Sequence, residues 1–156
     1  MDELSQLPSR NQVTVKVKRL TPDAQTVEEL VPATEGSVGI DLIATDHYYD
    51  KDYCYHEYGT GLAIQLPQGY EAQIRPRSSI SKKSFTLINS PGTIDSDYTG
   101  ELIVRFKTVD DRQDIYSVGD KIAQLIIVPV PKVSFVEVEE LESTKRGAGG
   151  FGSTGR

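Results

Sequence analysis

The chain has 156 residues, 17 Lys and Arg against 23 Asp and Glu, and a formal net charge of −6. That length suits one domain with a single sizeable core, and the charge excludes a general nucleic-acid binder, which needs a basic stripe. A lone cysteine excludes an internal disulfide, no apolar run reaches the length of a membrane span, and a polar opening in place of a signal peptide's apolar stretch makes a cytoplasmic location the expectation.

The first strand signal is Val13, Val15 and Val17 alternating with Thr14, Lys16 and Lys18, the period-two pattern of a half-buried strand. Residues 46–58 then concentrate five of the eight tyrosines, both histidines and the only cysteine. His47, Cys54 and His56 match no recurrent zinc spacing, so the segment is expected as an edge strand or exposed loop whose amphipathic tyrosines suit a protein partner. Leu62, Ile64 and Leu66 run into the turn Pro67-Gln68-Gly69, and Tyr70, Ala72 and Ile74 run out of it, which predicts a hairpin over 61–75. A brief helix is expected around Ser79 to Ser84, with strands at 85–89 and 101–109. The apolar block Ile122 to Val130 is closed by Pro129 and Pro131, and Val133, Phe135, Val136 and Val138 continue it toward the acidic stretch Glu137 to Glu142. Many short strands and almost no helical spacing imply an all-β sandwich or barrel.

The last ten residues read Gly-Ala-Gly-Gly-Phe-Gly-Ser-Thr-Gly-Arg. So much glycine forfeits the entropy an ordered element needs, yet it lets backbone N–H groups turn toward an anion without Cβ obstruction. Phe151 is an apolar ring suited to covering a flat base while Ser153 and Thr154 reach phosphate oxygens, so the tail reads as a nucleotide lid. The same composition is that of a disordered tail. A nucleotide-triphosphatase P-loop does not fit, because its lysine is missing. The expected division is a β domain over 1–142 and a flexible glycine-rich arm over 143–156.

On chemistry alone Asp95 is the best placed general base. It follows Gly92 in a turn-to-strand segment beside apolar Ile94, where partial burial would orient a carboxylate against one water. Asp97 shares its face if the strand is regular, either as an acid/base partner or as a turn-stabilising carboxylate. Arg77 and Ser78 offer a polyphosphate forked, permanently charged donors and an adjustable hydroxyl, although Arg75 and Arg77 also fit a solvated strand face. Tyr98 fits the rim of a β core, and Gln124 fits a polar residue that satisfies neighbouring backbone in an apolar strand.

Five segments together are more specific. They are Gly39-Ile40-Asp41-Leu42, Arg75-Pro76-Arg77-Ser78-Ser79, Asn89 to Glu101 (Asn-Ser-Pro-Gly-Thr-Ile-Asp-Ser-Asp-Tyr-Thr-Gly-Glu), Gly119-Asp120-Lys121-Ile122-Ala123-Gln124-Leu125, and Arg146 to Gly155. In this order, over about residues 36 to 155, they resemble the five motifs of the trimeric dUTP diphosphatase family, bacterial or phage type. The resemblance implies a distorted jelly-roll β barrel, and hydrolysis of dUTP to dUMP and pyrophosphate, which keeps uracil out of DNA and supplies dUMP for thymidylate synthesis. Asp95 falls on the family's catalytic aspartate, which directs water at the α-phosphorus. Mg2+ is the implied cofactor, held by Asp41 through water only, because magnesium retains its hydration shell while bridging phosphates.

The same resemblance assigns phosphate contacts to Arg77, Ser78, Ser79, Gln124 and Arg146. It makes the main chain around Asn89 and from Gly92, Thr93 and Ile94 to Tyr98 a hairpin that pairs with uracil's polar edge, and sets the Tyr98 ring under the deoxyribose, where a 2′-hydroxyl has no space. A tight hairpin excludes thymine at C5 and leaves cytosine mispaired, the costlier error. Phe151, Gly152, Ser153 and Thr154 would close over the nucleotide. A homotrimer is implied, each site taking the second and fourth motifs from one subunit, the hairpin from a neighbour and the tail from the third.

Two departures stand out. Ser79 occupies the usual glycine position of the second motif, and Val38 replaces a small residue in the first. The related dCTP deaminases share the fold but need a deaminating carboxylate and cytosine contacts that are not apparent here. Some phage members of the family are thought to bind repressors, and the unusual 46–58 segment is where such a partner would dock.

Overall fold

Residues 12–152 are described by a computed structural model of the chain. They fold into β1 (Lys16–Arg19), β2 (Ile40–Ile43), β3 (Tyr48–Asp50), β4 (Tyr55–Gln65), β5 (Tyr70–Arg75), β6 (Phe85–Leu87), β7 (Gly92–Ile94), β8 (Glu101–Thr108) and β9 (Lys121–Pro129). Two short 3-10 turns, 27–29 and 78–82, are the helical pieces among the described residues. Alternation sets the faces: on β8, Leu102, Val104 and Phe106 are buried while Ile103, Arg105 and Lys107 look outward.

Antiparallel ladders build two sheets, one ordered β1-β4-β8-β6 with β3 also on β4, the other β2-β9-β5-β7. Only β3 and β4 are consecutive strands that share a ladder. The inner faces meet in a single core, where Leu42, Ile74 and Ile122 of one sheet join Tyr58, Leu62 and Phe106 of the other. Phe85 stacks on Phe106 at 5.1 Å and Tyr58 meets it edge-on at 5.8 Å, geometries that add about 1 kcal/mol beyond the area buried. The Tyr58 hydroxyl donates to the Tyr116 carbonyl at 2.8 Å, and burial pushes its pKa well above that of a free phenol. The result is the distorted jelly-roll β barrel.

Three expectations are corrected. The 61–75 segment is not a hairpin: β4 ends on one sheet and β5 begins on the other, so residues 66–69 turn a corner between sheets, helped by Gly69 at φ 88°. Alternation is blind to this, because a strand that crosses to the opposite sheet still buries every second residue in the shared core. The short helix lies at 78–82 and is a 3-10 turn. The pattern at Val133 to Val138 forms no strand, and Phe135 is 96% exposed with Val133, Val136 and Leu141 also in solvent. A strand persists only in a ladder, and none among the described residues takes that segment.

Residues 46–58 form the β3–β4 hairpin, with Tyr49 opposite His56. Asp50 Oδ1 accepts the N–H groups of Asp52 and Tyr53, both at 2.9 Å, and so holds the turn. Tyr48, Tyr49 and Tyr53 are exposed, as expected of an edge strand. No described helix is long and apolar enough to cross a membrane.

Candidate active site

In the second sheet, register sets Asp41 of β2 opposite Gln124 of β9, and Gln124 opposite Arg75 of β5. Pro76 follows the last residue of β5 and has no N–H for the ladder; beyond it the chain leaves the sheet and Arg77 reaches β2. Arg77 Nε donates to Asp41 Oδ1 at 2.8 Å, and Lys121 Nζ binds Asp41 Oδ2 at 3.0 Å. Arg77 Nη1 also donates to Ser79 Oγ at 3.3 Å, so the serine found where glycine was expected helps orient the guanidinium. Partial burial works to raise the Asp41 pKa, but hydrogen bonds and charges from Lys121 and Arg77 outweigh it and hold the carboxyl below its ordinary value.

Gln124 Nε2 donates to the Pro76 carbonyl at 2.9 Å. A Cβ on Gly39 would lie 2.0 Å from Gln124 Oε1, so the glycine makes room for that carboxamide. A hydrated Mg2+ fits this cluster. Asp41 offers hard oxygen on a side chain that remains 23% exposed, with Arg77 on one oxygen and Lys121 on the other. Magnesium keeps several waters and takes few carboxylates, which suits a water-mediated hold.

The second cluster forms at the other end of the same sheet. Among the described residues β7 pairs only with β5, Gly92 opposite Ile74 and Ile94 opposite Ala72, so one edge of its backbone lies outside the described ladders. Gly92, Thr93 and Ile94 line a cleft of 510 Å³ with Asn89, Tyr98 and Ile103. A turn closed by the Tyr98 N–H on the Asp95 carbonyl at 3.1 Å then carries the chain to β8 in the other sheet. The 92–101 segment is therefore an edge strand and a corner, not a hydrogen-bonded hairpin. The Tyr98 hydroxyl donates to the Glu101 carbonyl at 2.9 Å, and a Cβ on Gly100 would lie 2.5 Å from that hydroxyl, so the glycine admits the ring. Asp95 follows Ile94 and is exposed, beside a broader groove that includes Tyr70, Glu71 and Lys132; the partial burial expected for it is absent in the single chain.

Register separates the clusters. β7 runs away from the row of Arg75, Gln124 and Asp41 and ends with Ile94 opposite Ala72, three residues along β5 from that row, and Asp95 follows it. At ~3.3 Å per residue and ~4.8 Å for each of the strand spacings from β7 to β2, the backbones of Ile94 and Asp41 stand roughly 17 Å apart. A triphosphate, whose adjacent phosphorus atoms share one bridging oxygen, is short beside that backbone separation.

Among the described residues, the tail as far as Gly152 joins neither cluster. Arg146 Nε donates to the Gly149 carbonyl at 2.9 Å, Phe151 is exposed and Gly152 follows it in a turn, and Ser153 and Thr154 lie outside the described residues. Two residues were missed in the sequence. Lys121 sits in the fourth segment without an assigned role, and its only hint was its position beside residues assigned to phosphate. Gln25, in a loop with no periodic signal, grips the backbone of β2.

A dUTPase family model matches residues 25–155. The chain is similar to the deoxyuridine 5'-triphosphate nucleotidohydrolase of Hydrogenobaculum sp., 48% identical over 143 residues that cover 89% of this chain and 96% of the relative. It is similar also to that of Nautilia profundicola, 43% identical over 145 residues, 91% of this chain and 99% of the relative. Among solved structures it is similar to the Staphylococcus bacteriophage 80alpha dUTPase with dUpNHpp, with a TM-score of 0.75, 24% identity, and coverage of 92% of this chain and 99% of that one.

Proposed function

This chain belongs to the dUTPase family, and from that premise we propose that it hydrolyses dUTP to dUMP and pyrophosphate in sites shared between the copies of a homotrimer. What supports the sharing is the backbone separation across the sheet between Asp41 and the end of β7, which leads into Asp95. The exposed apolar residues 133–141 add a surface suited to cover by a neighbouring copy.

As a dUTP diphosphatase, the enzyme adds water across the bond between the α-phosphorus and the oxygen that bridges to the β-phosphorus. Asp95 accepts a proton as the water oxygen bonds to the α-phosphorus; the bridging bond breaks, and its electron pair leaves with pyrophosphate. Arg77, Ser78, Ser79 and Gln124 of another copy meet the charge that develops on the leaving phosphates. Mg2+, when bound, neutralises phosphate oxygens, and Asp41 would hold its water shell. Base selection rests on the free edge of β7: backbone N–H and C=O groups from Gly92 to Ile94, with Asn89, are suited to pairing with uracil, while the Tyr98 ring sits where a 2′-hydroxyl would project.

Pyrophosphate release from dUTP, dTTP, dCTP and UTP, each with and without Mg2+, tests the activity. Turnover is expected with dUTP and magnesium, and ammonia release from dCTP would point instead to the deaminase branch. Sharing has its own test. Arg77→Ala and Asp95→Asn are each expected to be inactive alone, but subunits mixed in equal amounts and reassembled at random should recover roughly a quarter of the wild-type activity, the fraction of sites that draw both native residues from different copies. Sites complete within one chain would recover nothing.

A further inference from the structure

β2, which carries Asp41, is an end strand of its sheet, and its ladder with β9 shifts register between Leu42 and Ile43. Among the described residues the outward side of the strand is served by one side chain. Gln25, 5% exposed, donates from Nε2 to the Asp41 carbonyl at 3.0 Å, and its Oε1 accepts the Ile43 N–H at 2.9 Å. A primary carboxamide holds its donor and acceptor side by side in one plane, as a neighbouring strand would present them. The two bonds bracket Leu42 and span the place where the β9 ladder is irregular.

The loop that supplies the carboxamide is itself fixed. Arg19 Nε of β1 donates to the Ala24 carbonyl at 3.0 Å, Ala24 is buried in the core, and the Thr26 N–H donates to Glu29 Oε2 at 2.7 Å just after it. Gln25 therefore anchors β2 to the first sheet through β1.

Asp41 depends on this anchor because its side-chain partners are not all permanent. Its carboxylate is shared between Arg77 and Lys121, and the proposed function takes Arg77 for substrate phosphate. We infer that Gln25 is a positioning residue for nucleotide binding: by pinning the Asp41 backbone from the open edge of β2, it keeps the carboxylate in place when Arg77 turns to the polyphosphate. The inference rests on the reading of Asp41 as the residue that meets the hydrated metal.

The test measures affinity of the full-length protein for dUpNHpp with Mg2+ by calorimetry, and amide hydrogen exchange at Ile43, in Gln25→Ala. Gln25→Met, which retains side-chain bulk without either hydrogen bond, replaces it if the alanine variant does not fold. The expected result is about a tenfold loss of affinity, in the range found for outer-shell partners of metal sites, with faster exchange at Ile43. Thr60→Val serves as the comparison, because it removes a buried hydrogen bond from Thr60 Oγ1 to the Leu102 carbonyl at 2.7 Å, on the other sheet. It should lower the melting temperature and leave the affinity unchanged.

Wild-type affinity in the Gln25 variant, or a loss no greater than that of Thr60→Val, overturns the inference. Asp41→Asn separates the two layers: if it weakens binding while the Gln25 variant does not, the positioning role alone is wrong; if it binds as wild type, the metal reading of Asp41 fails and this inference falls with it.

Discussion

Replacing Asp95 with asparagine is expected to lower turnover of dUTP by about 10³-fold, the scale of a lost general base, while nucleotide affinity and melting temperature stay near wild type. Asn preserves the size and shape of the side chain, so the turn closed by the Tyr98 N–H on the Asp95 carbonyl has no reason to move. It removes the negative charge and with it the capacity to take a proton. Steady-state pyrophosphate release paired with calorimetry on dUpNHpp reads both quantities. Unchanged turnover removes Asp95 from the base role, and a parallel collapse of affinity and stability assigns it to the structure of the corner.

Deleting residues 147–156 is expected to lower turnover on the order of 100-fold, the cost of losing alignment over a bound substrate, with little change in melting temperature. The structure gives the reason for that asymmetry. Contacts of the described tail are local, such as the Gly147 N–H on the Thr144 carbonyl at 3.1 Å and Arg146 on Gly149, and Phe151 is fully exposed among the described residues. A segment that contributes so little to the barrel has its effect only when nucleotide is present. Truncated protein that turns over dUTP at the full rate would end the lid reading; truncated protein that melts early would make the arm part of the fold.

Period-two alternation made the buried faces of β5 and β8 legible from sequence, since each buries alternate residues; β4 and β9 bury neighbouring residues as well, Tyr58 to Ile64 in one and Ile122 with Ala123 in the other. Alternation carried no information on partners. Residues 61–75 read as one hairpin when they are two strands in two sheets, and Val133 to Val138 alternate like a strand while finding no ladder. The residues proposed for the site stand out in the sequence as types: Asp95, Arg77, Tyr98 and the glycines sit in short segments whose chemistry is local. Their grouping was not, because Arg77 meets Asp41 only after β5 and β2 take places on either side of β9. Gln25 left no trace in the pattern, since a loop glutamine acquires its role from a backbone 16 residues further along the chain.

The near absence of ladders between consecutive strands shapes how the chain comes together in time. Only the β3–β4 hairpin can zip from a short loop; β2 must wait for β9, whose first residue, Lys121, lies far downstream. Closing such long loops before any reward places this topology among slow folders, in the millisecond-to-second range. During synthesis, the carboxylate of Asp41 emerges long before either cation that neutralises it, so the cluster of Asp41, Arg77 and Lys121 is among the last parts of the molecule to mature.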